Sequence, residues 1–259
     1  MKRVSFYVIT IFCFLVLCSV NLQGQSKKII KAAKAGDAAS QYELGRFYIE
    51  EKGNKKYNPD LAIEWLTKSA SQGYAEAQFL LGYMYFVGKK SDEALKWTKA
   101  AALQNHAGAQ TNMAVHYQNN NDMVSAVKYA TEAAKSGDIY AQYLMGTYYY
   151  EGRGVSQDYE VAVEYLQKSS SHNYTDAKVL LGICLLQGTG IPKDEQQAFL
   201  LFNEAAQHGN NWGKKNLIKC YREGLGTQKD ETKAKEIEKE IDYSTMTLTD
   251  FTRKYWNEM

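Results

Sequence analysis

Ser125-Ala126-Val127-Lys128 places a hydroxyl three residues before an amine. On one helical turn such a pair can serve as nucleophile and base, the arrangement with which a serine opens a β-lactam ring. The companion K-T-G and S-D-N sequences that complete that chemistry are absent from the chain, and Ala126 belongs to a structural pattern described below, so the match reads as chance. Gly152-Arg153-Gly154, Gly188-Thr189-Gly190 and Gly224-Leu225-Gly226 could offer backbone N–H groups to a phosphate, but that use needs a strand feeding a helix, and these flanks are helical. His106, His116, His172 and His208 have no cysteine or histidine at the short spacings that close around zinc. Carboxylates are numerous, yet none stands out as a pair in an apolar setting, where two pKa values separate into acid and base. The expectation is no catalytic residue, no metal ligand and no cofactor.

The elements that would position any site come in copies. Anchored on Leu44, Leu81, Met113, Met145, Leu181 and Leu217, six related segments recur at spacings of 37, 32, 32, 36 and 36 residues. A period near 35 predicts stacked helical pairs. In phase with them, Asp60, Asp92, Asp122, Asp158, Asp194 and Asp230 open second segments, and Asp is a strong helix N-cap. Ala62, Ala94, Ala126, Ala162, Ala198 and Ala234 follow, each with a bulky residue three positions on: Trp65, Trp97, Tyr129, Tyr165, Leu201 and Ile237. Small beside large on one helical face lets neighbouring helices interlock. The Gly-x-Gly sequences fall between the two helices, where glycine permits the left-handed residue that ends a helix. Pro59 and Pro192 lie beside the second-helix starts, where a missing N–H costs little.

The composite pattern, Ala-x-Ala-Gln-Tyr/Phe-x-Leu-Gly-x-x-Tyr-x-x-Gly-x-Gly and then Asp with Ala-x-x-Trp/Tyr, resembles the Sel-one-like repeat, a relative of the tetratricopeptide repeat. The unit from Tyr140 to Gly154 matches best, and the resemblance covers about residues 36–243. It implies an all-α fold, a right-handed α/α superhelical solenoid of six helix-turn-helix repeats. Their expected bounds are 38–74, 75–106, 107–138, 139–174, 175–210 and 211–243. The third lacks Gly-x-Gly, and the sixth has Ile218 where others carry glycine, so these two are expected to be distorted. Ser26 to Gly36 reads as a lone second helix covering repeat one. Leu248, Phe251, Tyr255 and Trp256 predict a capping helix over 244–259.

Lys2 and Arg3 precede an uncharged apolar run from Val4 to Val20, then Leu22-Gln23-Gly24-Gln25-Ser26. That order is expected of a secretory signal peptide over residues 1–24, cleaved after Gly24. The run is shorter than the roughly 20 residues of a spanning helix, and Leu17 before Cys18 argues against a lipoprotein signal. A periplasmic or secreted protein without stable membrane insertion is expected. Without Lys2 and Arg3 the chain has 29 basic and 29 acidic residues, which excludes the basic face a nucleic-acid binder needs and leaves no basis for long-range steering. Cys184 and Cys220, 36 apart, take equivalent places on consecutive first helices. Helix axes roughly 8–10 Å apart put them beyond the reach of a disulfide, so two buried thiols are expected. The resemblance also names a cysteine-rich branch that bridges the two helices of a repeat; this sequence lacks that pairing.

What remains is surface. The resemblance implies that ligands lie along the first helices, at positions two before, and two, five and six after, the anchoring leucine. In the first two repeats these include Tyr42 and Arg46, then Phe79, Tyr83 and Phe86. Thr111, Val115, Gln118 and Asn119 follow in the third, and Tyr143, Thr147 and Tyr150 in the fourth. The fifth is mostly aliphatic, with Val179 and Ile183, and the sixth is charged, with Lys215, Lys219 and Arg222. Tyr42, Phe79 and Tyr143 fit the repeat pattern and serve packing as readily as binding. Tyr83, Phe86 and Tyr150 do not, and are expected to be exposed aromatics on a binding wall, since tyrosine gives large contact area at low entropic cost. The function implied is a non-enzymatic scaffold of the bacterial envelope that holds a peptide or partner protein in its groove. A glycan-binding protein using the same three aromatics, or a hydrolase acting on cell-wall or β-lactam compounds, are the rival readings.

Overall fold

A computed structural model describes residues 22–49 and 57–241, and every regular element among them is an α-helix. The expected signal peptide up to residue 21, and the expected capping helix over 244–259, lie outside the described residues. Two compact units divide the chain, residues 1–136 and 137–259. The first holds α1 (Leu22–Lys34), α2 (Ala38–Phe47), α3 (Pro59–Ser71), α4 (Ala75–Val87), α5 (Ser91–Leu103), α6 (Ala107–Asn119) and α7 (Met123–Lys135). The second holds α8 (Ile139–Glu151), α9 (Tyr159–Ser171), α10 (Thr175–Gln187), α11 (Glu195–Gln207), α12 (Asn211–Glu223) and α13 (Glu231–Lys239). Each repeat is one pair, from α2/α3 to α12/α13. Within each unit every helix packs on the next in sequence, which makes each unit an all-α solenoid. As expected, α1 lies ahead of repeat one as a lone second helix, with Ala33 buried.

The expected aspartate caps form at four of six sites. Asp122, Asp158, Asp194 and Asp230 accept from the backbone N–H three residues on, at 2.9–3.1 Å. Asp60 and Asp92 instead sit inside the first turn, where their charge still suits the helix dipole. Asn58 caps α3 in place of Asp60, and no side chain caps α5. The reason is loop length: Pro59 begins α3, and the short connection into α5 begins its helix at Ser91. The turns from one repeat to the next all carry one left-handed residue, at Gly36, Gly73, Asn105, Gly137, Asn173 and Gly209. Only glycine and asparagine occur there, the two residues that take that conformation at least cost.

The interlock within a repeat uses a different residue than the spacing suggests. Trp65, Trp97, Tyr129 and Tyr165 are only half-buried. The residue one place further on meets the first helix: Leu66 against Gly45, Thr98 against Gly82, Leu166 against Gly146 and Phe202 against Gly182. A Cβ on any of these glycines would lie within 3 Å of that side chain. The half-buried aromatics form a second layer, with Tyr117 stacked on Tyr129 and Tyr149 on Tyr165. Lys68, Lys96 and Lys168 lie over Trp65, Trp97 and Tyr165, cation against ring face.

That exchange explains why repeat three is regular, contrary to expectation. Its two helices are each 13 residues, like those of its neighbours. Ala114 takes the glycine place and Ala130 the bulky one, both fully buried, so the pair shares the same space differently. In repeat six the exchange is inverted. Ile218 fills the glycine place against Ala234 and Ile241, while Glu238 stands in the bulky place and pairs with Arg222. Its first helix keeps 13 residues, and its second has 9.

Candidate functional site

The first helices carry the residues singled out for binding, and successive repeats treat them differently. In the first unit Tyr42, Arg46, Phe79, Tyr83 and Phe86 are all half-buried, and Val87 is 60% exposed. Tyr42 and Phe79 have a packing role. Each meets the N-cap residue of the following first helix: Tyr42 with Tyr74 at 5.3 Å between ring centres, and Phe79 stacked on His106 at 4.3 Å. Arg46 lies over the Tyr42 ring and reaches Glu43 at 3.5 Å. Tyr83 packs along the edge of the Leu66–Leu81 cluster and keeps part of its ring at the surface. Burial pushes the Tyr42 hydroxyl above the ordinary tyrosine range, the nearby Arg46 charge opposing.

Thr111 and Val115 of repeat three are buried, and in repeats four and five the corresponding face is largely closed. Tyr150, expected to be an exposed aromatic, is 2% exposed. Its ring meets Tyr159 edge-on at 5.2 Å, its hydroxyl donates to Gln187 Oε1 at 3.3 Å, and Gln157 Nε2 donates to its carbonyl at 2.8 Å. The start of α9 and the end of α10 therefore cover it, a tertiary arrangement that no spacing announces. Thr147, Val179 and Ile183 are buried as well, and Thr147 turns its hydroxyl back to the Leu144 carbonyl at 2.7 Å. Tyr143 repeats the packing role of Tyr42, with Tyr174 at 5.0 Å. Arg222 is exposed but engaged, with Nη2 on Glu238 at 2.9 Å and Nε on Glu231 at 3.5 Å, bridging α12 to α13. Lys215, beside the Trp212 ring, has its pKa lowered by burial. Of the expected trio, then, Tyr83 and Phe86 keep surface and Tyr150 does not.

Residues first weighed for catalysis have structural places. Ser125 presents its backbone N–H to the Asp122 cap, and Lys128 is exposed on the outer side of α7. His172 and His208 end α9 and α11, each with Nδ1 near the carbonyl four residues back, at 3.0 and 2.8 Å, as expected of helix C-termini. His116 packs edge-on to Tyr117, and burial lowers its pKa. Cys184 and Cys220 are free, fully buried thiols, both pushed up to about 12 by burial. Among the described residues no group of histidine, cysteine or carboxylate side chains could hold a metal ion, and no helix is long and apolar enough to cross a membrane.

Two sets of residues went unread in the sequence. His106 gave no signal, yet its Nδ1 accepts from Ala109 N at 3.2 Å and caps α6 while its ring stacks on Phe79. The glutamines form a polar thread between repeats. Gln41, Gln78 and Gln110 each donate to a carbonyl of the preceding second helix, at Ala33, Ala70 and Ala102. Gln72 and Gln104 then donate to Gln41 and Gln78, each at 2.7 Å. Repeats three and four end their second helices in Ser136 and His172 instead, and Gln110 Oε1 and Gln142 Oε1 are buried without a partner. In repeat five Lys178 takes the glutamine place, buried, and pairs with Glu204 and Asn173.

The profile of the Sel1 repeat matches residues 38–74, 75–106, 107–138, 139–174, 175–210 and 211–236. No curated protein matches the chain. Among solved structures, a protective antigen of uropathogenic Escherichia coli strains displaying an SLR fold is 30% identical with a TM-score of 0.75; the match covers 85% of this chain and 48% of that one. This chain therefore spans about half the length of that antigen. A Sel1 repeat protein from Oxalobacter formigenes is 29% identical with a TM-score of 0.71, over 87% of this chain and 96% of its own. Sel1 repeats generally mediate protein–protein interaction, and the fold is typically non-catalytic.

Proposed function

This chain belongs to the Sel1 repeat family, and from that membership we propose that it is a non-enzymatic scaffold of the bacterial envelope, holding a peptide or partner protein on the first helices of its first unit. The observation that carries the reading is the contrast between repeat two and the repeats that follow it. Thr111 and Val115 of repeat three, Thr147 and Tyr150 of repeat four and Val179 and Ile183 of repeat five are buried, whereas Tyr83 and Phe86 of repeat two keep surface beside the exposed Val87. Half-buried aromatics held by the helix beneath them lose little freedom on binding and still remove apolar area from water when covered. Arg46, beside the Tyr42 ring, supplies a cation at the margin of the same face.

Placement in the envelope rests on the basic, apolar and small-residue order of residues 1–24. It requires that protein recovered from a periplasmic fraction begin at Gln25, which intact-mass measurement reads directly. A chain retained in the cytoplasm with Met1 in place ends that part of the reading. The binding face is tested by affinity capture from envelope extract with the wild type and with Tyr83→Ala/Phe86→Ala. The expected result is one or a few proteins enriched by the wild type and reduced at least tenfold by the variant, whose helical content is unchanged. Equal capture by both proteins places the binding elsewhere and contradicts the assignment.

A further inference from the structure

We propose that Asp176 and the tyrosine pair Tyr143 and Tyr174 form a second binding site, which takes the guanidinium of an arginine side chain on a bound partner. The site lies wholly within the second unit. Asp176 is half-buried in the first turn of α10. Its Oδ1 accepts from Asn210 Nδ2 at 2.6 Å, and its Oδ2 accepts from the Tyr174 hydroxyl at 3.4 Å. Both donors are neutral. Lys178, two residues on, is engaged by Glu204 and Asn173 instead. Desolvation pushes the Asp176 carboxyl above its ordinary range, whereas the exposed Asp37 and Asp122 are held below theirs by hydrogen bonds. The fold does not call for this charge. Asn210 Nδ2 also meets Thr175 Oγ1 at 3.1 Å, and its Oδ1 caps α12 at Gly213 N, so an amide at position 176 would serve the same bonds.

The same three places recur between repeats one and two, and there the cation is built in. Tyr42, Tyr74 and Glu76 hold, relative to Leu44 and Leu81, the places that Tyr143, Tyr174 and Asp176 hold relative to Met145 and Leu181. The ring pairs match, at 5.3 Å and 48° in the first set and 5.0 Å and 47° in the second. In the first set Arg46 lies over the Tyr42 ring at 5.6 Å, and its charge and that of Glu76 both bear on the Tyr42 hydroxyl. In repeat four the place of Arg46 belongs to Thr147, buried with its hydroxyl on the Leu144 carbonyl. The second set keeps the rings and the acid and exchanges the arginine for threonine. Tyr140, stacked on Tyr143 at 6.1 Å, enlarges its aromatic wall, and Tyr140, Tyr143 and Asp176 all keep surface. A guanidinium fits this wall, since it stacks on a ring face and pairs with two carboxylate oxygens at once. Each Asp176 oxygen has lone-pair capacity beyond the bond it already accepts.

Amide NMR of the mature protein, titrated with Nα-acetylarginine amide, tests this. A background of about 0.1 M salt screens the exposed carboxylates. Shifts are expected to centre on residues 174–178 and 210–213, with a Kd of about 1–10 mM, the scale for a ligand of this size. Nα-acetylcitrulline amide, of the same shape with a neutral urea, is expected to bind at least tenfold more weakly. Asp176→Asn, which keeps an acceptor for Asn210, should weaken the arginine probe at least tenfold with unchanged helical circular dichroism, and Tyr143→Ala should weaken it several-fold. The scaffold reading supplies only the source of the arginine, so failure of capture by the first unit leaves this titration unaffected. Equal binding of the citrulline probe overturns the proposal, as does unchanged affinity in folded Asp176→Asn. Shifts spread evenly over the exposed acids, Glu160 and Glu164 among them, also overturn it. A site that takes the probe only in Arg253→Gln/Lys254→Gln belongs to a basic side chain of the chain's own C-terminal segment, and overturns the assignment to a partner.

Discussion

Tyr83 and Tyr150 are the same residue type on equivalent faces of two repeats, and opposite outcomes are expected when each is shortened. Tyr150→Ala empties a fully enclosed site and is expected to cost about 3–5 kcal/mol, whereas Tyr83→Ala, half-exposed, should cost about 1 kcal/mol. Urea titration of each variant reads the difference. The sequence could not separate them, because Tyr150 is covered by Tyr159 and Gln187, residues of the following helices. It did separate Tyr42, Phe79 and Tyr143 as pattern residues, and each ring meets the N-cap residue of the following first helix. The cysteines add a pH dependence. Their native pKa values are raised from 9.0 to about 12, so above pH 9 the unfolded chain ionises while the folded thiols keep their protons. The unfolded state then binds fewer protons, and stability must fall as pH rises from about 9 toward 12. Cys184→Ala/Cys220→Ala, though less stable throughout, should show a shallower loss between pH 8 and 10 by the same titration.

At the scale of the helix pair, legibility followed from how locally each feature is specified. Four caps were readable because a cap lies within three residues of the N–H it binds. Asp60 and Asp92 were misplaced because loop length decides where a helix begins, and Asn58 supplied the acceptor instead. The buried partners Leu66, Leu166 and Phe202 were missed by one position, since the more conspicuous Trp65, Tyr165 and Leu201 drew the spacing argument. Gly182→Ala is therefore expected to destabilise by about 1–3 kcal/mol through its clash with the Phe202 ring, and Phe202→Leu should relieve part of that cost in the double variant. The glutamine thread gives a change of opposite sign. Ser136 occupies the helix-end place of Gln72 and Gln104, so Ser136→Gln should supply the donor that Gln110 Oε1 lacks and stabilise by about 0.5–1.5 kcal/mol. Chemical denaturation of the single variants checks both.

At the scale of the whole molecule, six in-phase copies made the architecture readable, because each repeat buries its apolar side only against neighbours and the pattern must recur. Function was less readable for the same reason: residues that stack the repeats and residues that meet a partner share the first helices, and only burial tells them apart. The central claim is that the first helices of the first unit are the recognition face, and photo-crosslinking in intact cells tests it most directly. A benzophenone amino acid at Tyr83 or Phe86 should yield a crosslinked band with a distinct protein, and the same probe at Glu64 on the outer side of α3 should not. Crosslinks to that protein from Glu64, with none from Tyr83 or Phe86, would contradict the account.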